Sequence, residues 1–317
     1  MKIVDHIKSA KRTLFSFEIL PPLKGNSIES LYSGIDPLIE FDPKFIDVTY
    51  HREEYVLRER HDGGFDKVAT RKRPGTVGIC AALMNKYHVD AVPHLICGGF
   101  TREETENALI DLAFLGIDNV LALRGDNLTG DSMFKAEDYG NKNALDLVNQ
   151  VREMNQGVYL DQELKNATPT NFCIGVAGYP EKHQDAPNLR SDINFLKKKV
   201  ESGAEYLVTQ MFFNNQKYFE FVRLCHDNGI NVPIIPGLKP FATQKQLYAL
   251  PKIFHIDLPD DLVTAVEKAK NNEQVKQIGI EWCIQQSKEL RDAGVPVLHY
   301  YTMGKSEATY AVAKEVF

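Results

Sequence analysis

The sequence contains no C-x-x-C pair, and its five cysteines, Cys80, Cys97, Cys173, Cys225 and Cys283, are odd in number and widely scattered. That excludes a disulfide framework and points to reduced, buried thiols in a cytoplasmic protein. There is no run of about 18 apolar residues, so no membrane span is expected. The opening MKIVDHIKSAKR lacks the apolar core of a signal peptide. Neither G-x-G-x-x-G nor the P-loop pattern occurs. H-x-H and H-E-x-x-H are missing as well, and the acidic residues are spread out, so no metal site is expected. Excess positive charge is lacking too: the net charge is -6 and the pI about 5.9, which argues against a general nucleic-acid surface. Basic character is local, as in Arg71-Lys72-Arg73 and Lys197-Lys198-Lys199. No internal repeat, low-complexity segment or linker interrupts the chain.

What is present is a long, ordinary globular composition, 317 residues with 43% hydrophobic and 25% charged. Length of this order suits a single α/β barrel, expected here as one domain over residues 1–317. Eight short apolar stretches read as strands: 14–19, 45–50, 92–96, 119–123, 171–177, 205–210, 232–236 and 295–301. Helical periodicity separates them, with Thr101 and Glu104 forming a capping box and Ser191 beginning another helix. Strands alternating with helices mean a parallel sheet, and eight units suggest a (β/α)8 TIM barrel. A doubly wound open sheet is the alternative, but its glycine fingerprint is missing. The charged stretch from His51 to Gly75 shows no core-facing pattern and reads as a long functional or mobile connection.

In a barrel, polar residues at the carboxyl ends of the strands converge on one mouth. Here those are Glu18, Thr49, His94, Arg124, Asp126, Tyr179, His183, Gln210, His299 and Tyr301. Glu18 ends an otherwise apolar strand just before Pro21-Pro22. A carboxylate there needs a partner or a pocket, since burying it alone costs several kcal/mol. It is a candidate general acid, provided a pocket encloses it. Arg124 and Asp126 supply charge of both signs. His299 reads as a barrel-interior residue held by hydrogen bonds, and Lys197 and Lys198 as a solvated helix face. The set suits a polar, planar ligand better than a metal.

These residues sit in a series of motifs: SFEILPP (16–22), DVTY (47–50), PHLIC (93–97), LALRGD (121–126), GYPEKH (178–183), VTQMFF (208–213) and HYYT (299–302). In that order and spacing they resemble the methylenetetrahydrofolate reductases, from about Phe15 to Ala311. The resemblance implies a (β/α)8 barrel with noncovalent FAD at its mouth. It implies reduction of 5,10-methylenetetrahydrofolate to 5-methyltetrahydrofolate with NADH or NADPH in a ping-pong hydride relay, supplying methyl groups for methionine synthesis. By the same resemblance, Glu18 is the acid that protonates folate N10. Asp126 lies by the flavin pyrimidine edge and the pterin. Gln210 contacts both alternating substrates. Thr49, His94, Leu123, Arg124, Gly125, Asp126, Ala177, Tyr179, His183, Asp192 and Lys199 contact FAD, with Arg124 and Lys199 suited to its diphosphate or ribose. The family further implies a homo-oligomer acting on small molecules, with no nucleic-acid or membrane partner.

Some positions depart from the family pattern. Lys305 stands where an Arg usually contacts folate, and a Lys cannot supply the Arg fork. His51-Arg52-Glu53 lacks the usual Gly, and Phe195 replaces a commoner Asn. The length leaves no room for the large C-terminal regulatory domain of animal enzymes, so S-adenosylmethionine control is not expected.

Overall fold

The computed structural model describes residues 1–50, 52, 54–70, 73–127 and 133–317. His51, Glu53, Arg71 and Lys72, singled out above, lie outside the described residues. The strands are β1 (Leu14–Ile19), β2 (Phe45–Val48), β3 (Glu54–Glu59), β4 (Phe65–Thr70), β5 (Asp90–Ile96), β6 (Asn119–Leu123), β7 (Cys173–Gly178), β8 (Tyr206–Thr209), β9 (Ile234–Ile235), β10 (Gly237–Leu238) and β11 (Val297–Tyr301). The helices are α1 (Ile3–Ser9), α2 (Ile28–Ile35), α3 (Thr76–Tyr87), α4 (Arg102–Phe114), α5 (Ala144–Asn155), α6 (Leu189–Glu201), α7 (Asn215–Asp227), α8 (Gln246–Phe254), α9 (Asp260–Lys268), α10 (Asn272–Asp292) and α11 (Glu307–Val316).

All eight expected strands form, and they pair in parallel in the order β10-β11-β1-β2-β5-β6-β7-β8-β9. The two ends of that order are one stretch of chain. Pro236 divides it, because proline has no N–H for a ladder bond. Ile234–Ile235 pair with β8, and Gly237–Leu238 pair with β11. The Pro236 carbonyl accepts from His299 N at 3.2 Å, and Gly237 N donates to Thr209 Oγ1 at 2.9 Å. So the seventh stave is split in two and the sheet closes on itself as a (β/α)8 barrel.

Side-chain alternation then sorts every strand into two faces. On β1, Phe15, Phe17 and Ile19 join the large core between sheet and helices. Leu14 joins a second cluster with Phe45, Val92, Leu121, Cys173, Tyr206, Val208, Ile235 and Val297, which fills the barrel floor. Glycine makes room in this interior. A Cβ at Gly175 would lie 2.2 Å from Tyr206 Cζ, and one at Gly237 2.6 Å from Tyr301 Cε2.

Helix α6 starts at Leu189, capped by Asn188, whose side chain accepts from the N–H of the expected first residue Ser191. The stretch between β2 and α3 departs further from the expected layout. Rather than a patternless connection, it forms an antiparallel hairpin of β3 and β4 outside the barrel sheet. Asp62 Oδ1 accepts from Gly64 N at 2.9 Å in its turn, where Gly63 has φ +79°. Tyr55, Val56, Leu57 and Phe65 are exposed, so no inward periodicity marks it in the sequence.

Candidate active site

Because the barrel strands are parallel, their carboxyl ends share one rim. Glu18 stands at the end of β1, Thr49 just past β2, Arg124 past β6, Tyr179 past β7, Gln210 past β8 and Tyr301 at the end of β11. Cross-strand pairing sets their heights: Ser16 lies opposite His299, and Glu18 opposite both Asp47 and Tyr301. The rim residues fall into two groups.

The first group surrounds Glu18, whose side chain is 15% exposed. Thr49 Oγ1 donates to Glu18 Oε1 at 2.6 Å. On the other oxygen, His94 Nε2 lies 3.5 Å from Glu18 Oε2. The same Nε2 is 3.5 Å from Asp47 Oδ2. Burial pulls the His94 imidazole toward neutrality, but the charges of Glu18 and then Asp47 outweigh it, and the net direction is up from the ordinary histidine value. Beneath lies His299, fully buried, its Nδ1 2.9 Å from Ser16 Oγ. Burial leads there, holding that imidazole below the ordinary value. Tyr301 OH donates to the Thr209 carbonyl at 2.6 Å.

The second group lines a cavity of ≈ 330 Å³ between the ends of β6 and β7 and the face of α6. Leu123, Arg124, Ala177, Tyr179, His183, Asp192 and Lys199 all border it. The loop after β7 is braced from within. Asp192 Oδ2 accepts from His183 N at 2.8 Å, and Lys182 Nζ donates to the Ala186 carbonyl at 2.7 Å. Tyr179 and His183 meet edge to face at 4.7 Å. Arg124 ion-pairs with Asp185 and lies over the Phe134 ring, 5.0 Å from its centroid. Lys199 is only 6% exposed and donates to the Ala177 carbonyl at 3.0 Å. Burial pulls its ammonium down to about 8, with Asp192 opposing. The departure at Phe195 is part of this wall: its ring lies 5.7 Å from Lys199 Nζ.

The remaining expected residues are more peripheral. Gly125, with φ +86°, packs against Ile96, and Asp126 is exposed beyond it. Gln210 turns its Oε1 back to accept from Met211 N at 2.8 Å. Lys305 is exposed in the turn after β11, where its N–H donates to the Thr302 carbonyl. Arg124 does not pair with Asp126; its carboxylate partner is Asp185, which the sequence did not single out. Asp47 was also missed, although it sits two residues before Thr49 and so shares that face of an apolar strand.

A cavity with a buried cation, a braced aromatic pair and apolar alanine and leucine walls can hold a flat, anionic cofactor. The half-enclosed carboxyl group of Glu18, gripped by Thr49 and faced by His94, can hold or release a proton. Comparison with known proteins supplies a frame for both. The profile of the family described as Methylenetetrahydrofolate reductase matches residues 2–316. The Arabidopsis thaliana protein named Methylenetetrahydrofolate reductase (NADH) 1 is 33% identical, over 98% of this chain and 50% of its own length. The Salmonella typhimurium 5,10-methylenetetrahydrofolate reductase is 30% identical, over 94% of this chain and 88% of its own. The chain thus spans about half the length of its plant relatives and most of its bacterial ones. Among solved structures, an uncharacterized Clostridium thermocellum protein that binds two copies of 5-methyl-5,6,7,8-tetrahydrofolic acid superposes with a TM-score of 0.64 at 15% identity. It covers 99% of this chain and 98% of the other, a likeness of fold.

Proposed function

The chain belongs to the methylenetetrahydrofolate reductase family, and on that premise we propose that its barrel is a catalytic domain that reduces 5,10-methylenetetrahydrofolate to 5-methyltetrahydrofolate, using FAD held noncovalently and NADH or NADPH as donor. The observation that carries the reading is the convergence of residues from β6, β7 and α6 on one cavity at the rim that also carries the enclosed Glu18.

The residues present fit the cofactor. Lys199 and Arg124 offer positive charge to a diphosphate or ribose, and Leu123 and Ala177 offer apolar contact. Tyr179, His183 and Asp192 shape the same pocket, and Thr49, His94, Gly125 and Asp126 lie toward the rest of the mouth. When bound, FAD would carry hydride from the reduced nicotinamide to the folate. The chain's own share is proton handling and placement. Glu18 would give its proton to N10 of the folate, opening the five-membered ring to an N5 iminium that accepts hydride. Thr49 Oγ1 keeps the Glu18 carboxyl turned toward the mouth. Asp126 would sit near the flavin edge and the pterin, Gln210 would meet both substrates in turn, and Lys305 would reach the folate as a point charge. NADH is the donor we favour, as in short bacterial-type enzymes. We assign the protein to the cytoplasm as a homo-oligomer acting on small molecules.

The experiment is an absorption spectrum of the purified protein, then anaerobic titration with NADH and NADPH, then addition of methylenetetrahydrofolate. The expected protein is yellow, bleached by the nicotinamide and recoloured by the folate. Glu18→Gln keeps the bleaching and loses the recolouring. A colourless preparation that takes up no FAD overturns the reading, and a Glu18→Gln enzyme competent in both steps overturns the acid assignment.

A further inference from the structure

Halfway down the barrel, the interior changes character. Below it the floor is apolar; above the floor stand Ser16 and His299, opposite each other, and then Asp47, opposite Glu18, with His94. Asp47 is 0% exposed, and neither carboxylate oxygen has a hydrogen-bond partner among the described residues. A buried, isolated carboxylate costs several kcal/mol, so a compensating charge must be near. Among the described residues the group that can supply it is His94, charged when protonated, whose Nε2 stands 3.5 Å from Asp47 Oδ2 and equally 3.5 Å from Glu18 Oε2. One ring nitrogen thus faces two carboxylates, and it makes a full hydrogen bond to neither.

We propose that Asp47 is a positioning residue for Glu18, acting through His94, whose single Nε2–H turns to Glu18 when that group has given up its proton and to Asp47 when it has regained one. The inference rests on the acid role proposed above for Glu18. Neither Asp47 nor His94 gives a proton to the folate in this scheme; the proton lost to folate N10 returns to Glu18 from solvent. The other groups facing this cluster do not compete. His299 on β11 is held toward neutrality by burial, its Nδ1 occupied by Ser16 of β1. Burial, reinforced by Asp47, keeps the Tyr206 phenol of β8 and the Cys80 thiol of α3 protonated. Tyr301 is held protonated by burial and by Glu18 and Asp47, and spends its hydroxyl on Thr209.

The test uses the flavin-loaded full chain. Imidazole nitrogen resonances are followed against pH in wild type, Asp47→Asn and Glu18→Gln, with His94→Gln to assign the signal. The wild-type His94 midpoint is expected above the ordinary histidine value, and each variant lowers it by about 1–3 pH units, the usual effect of losing an adjacent opposite charge. In stopped flow, Asp47→Asn keeps flavin bleaching by NADH within about twofold, well inside the tenfold that 1.4 kcal/mol represents. It displaces the pH profile of recolouring by the folate. A His94 midpoint unmoved in either variant overturns the proposal, as does equal slowing of the two half-reactions. If Asp47→Asn does not fold, Asp47→Ser takes its place, and a His94 midpoint that it leaves unmoved overturns the proposal. A wild type that the folate cannot recolour sinks the proposed function, and the titration still decides whether His94 is shared.

Discussion

The Thr49 hydroxyl lies 2.6 Å from Glu18 Oε1 and 2.9 Å from the Ile19 carbonyl, so it serves the acid in either protonation state. When Glu18 is ionised, Thr49 donates to it. When Glu18 carries the proton, it can donate to Thr49 Oγ1, which passes its own hydrogen to Ile19. Valine has the shape but neither role. Hydrogen bonds to charged groups are worth about 1.5–3 kcal/mol, so Thr49→Val should slow folate reduction by about 10- to 100-fold. Thr49→Ser should restore most of it. Steady-state kcat for the three proteins checks this, and equal activity in Val and Ser variants would refute the hydroxyl's role.

Lys199 is a buried cation that carries a cost in stability. Its folded pKa of about 8 lies below the reference value of 10.5. The folded state therefore disfavours the proton that the unfolded chain holds. The penalty is fully present below pH 8, on the order of 3 kcal/mol, and is relieved as pH rises from 8 to 10.5. The hydrogen bond to Ala177 offsets part of it. Lys199→Met should leave the flavin-free protein at least as stable at pH 7, with the advantage fading by pH 10, while FAD affinity falls. Melting temperatures at both pH values and a flavin titration check the trade. A flavin-free variant less stable than wild type at pH 7 would show that the lysine is a structural strut.

Glu181, in the loop after β7, has the opposite sign. Burial pushes its carboxyl up to about 7, despite the bond it accepts from Asp257 N at 3.2 Å. Its other oxygen has no partner among the described residues. An acid raised this way costs nothing below the unfolded value near 4.5; the penalty grows from there to pH 7 and is complete above it. Glu181→Gln should therefore stabilise the protein more at pH 8 than at pH 5. Thermal unfolding at the two pH values measures it, and an equal shift at both would mean the carboxyl is well solvated.

The eight staves were legible because each is a short apolar run between helical periods, and burial on both faces of a parallel sheet produces that pattern. Glu18 was legible because a carboxylate is conspicuous in such a run. Asp47 is equally conspicuous in FIDVTY, yet its importance depends on His94 arriving from β5, which only the closed sheet reveals. The β3–β4 hairpin was missed for a complementary reason. It packs on no core, so its apolar residues carry no inward period, and the one local signal was the Asp62-Gly63 turn pair. The pairing of Arg124 with Asp185 was not legible at all, since 61 residues separate them and neither position constrains the other before folding.

The barrel floor offers the sharpest test of the interior packing. A Cβ on Gly175 would lie 2.2 Å from Tyr206 Cζ and 2.6 Å from its hydroxyl oxygen. Tyr206 has no exposed surface and donates to the Val120 carbonyl at 3.3 Å, so the ring has nowhere to swing. Overpacking of this kind costs about 1–3 kcal/mol or more, and Gly175→Ala should fall at or above the upper end. Removing only the hydroxyl with Tyr206→Phe leaves Cζ in place and should not rescue the variant. Tyr206→Leu withdraws the far end of the ring and should recover part of the loss, a coupling visible in a double-mutant cycle of urea midpoints. Should Gly175→Ala alone leave the midpoint where it was, the ring does not fill the space above Gly175, and the layered interior that carries Asp47 and His94 would have to be redrawn.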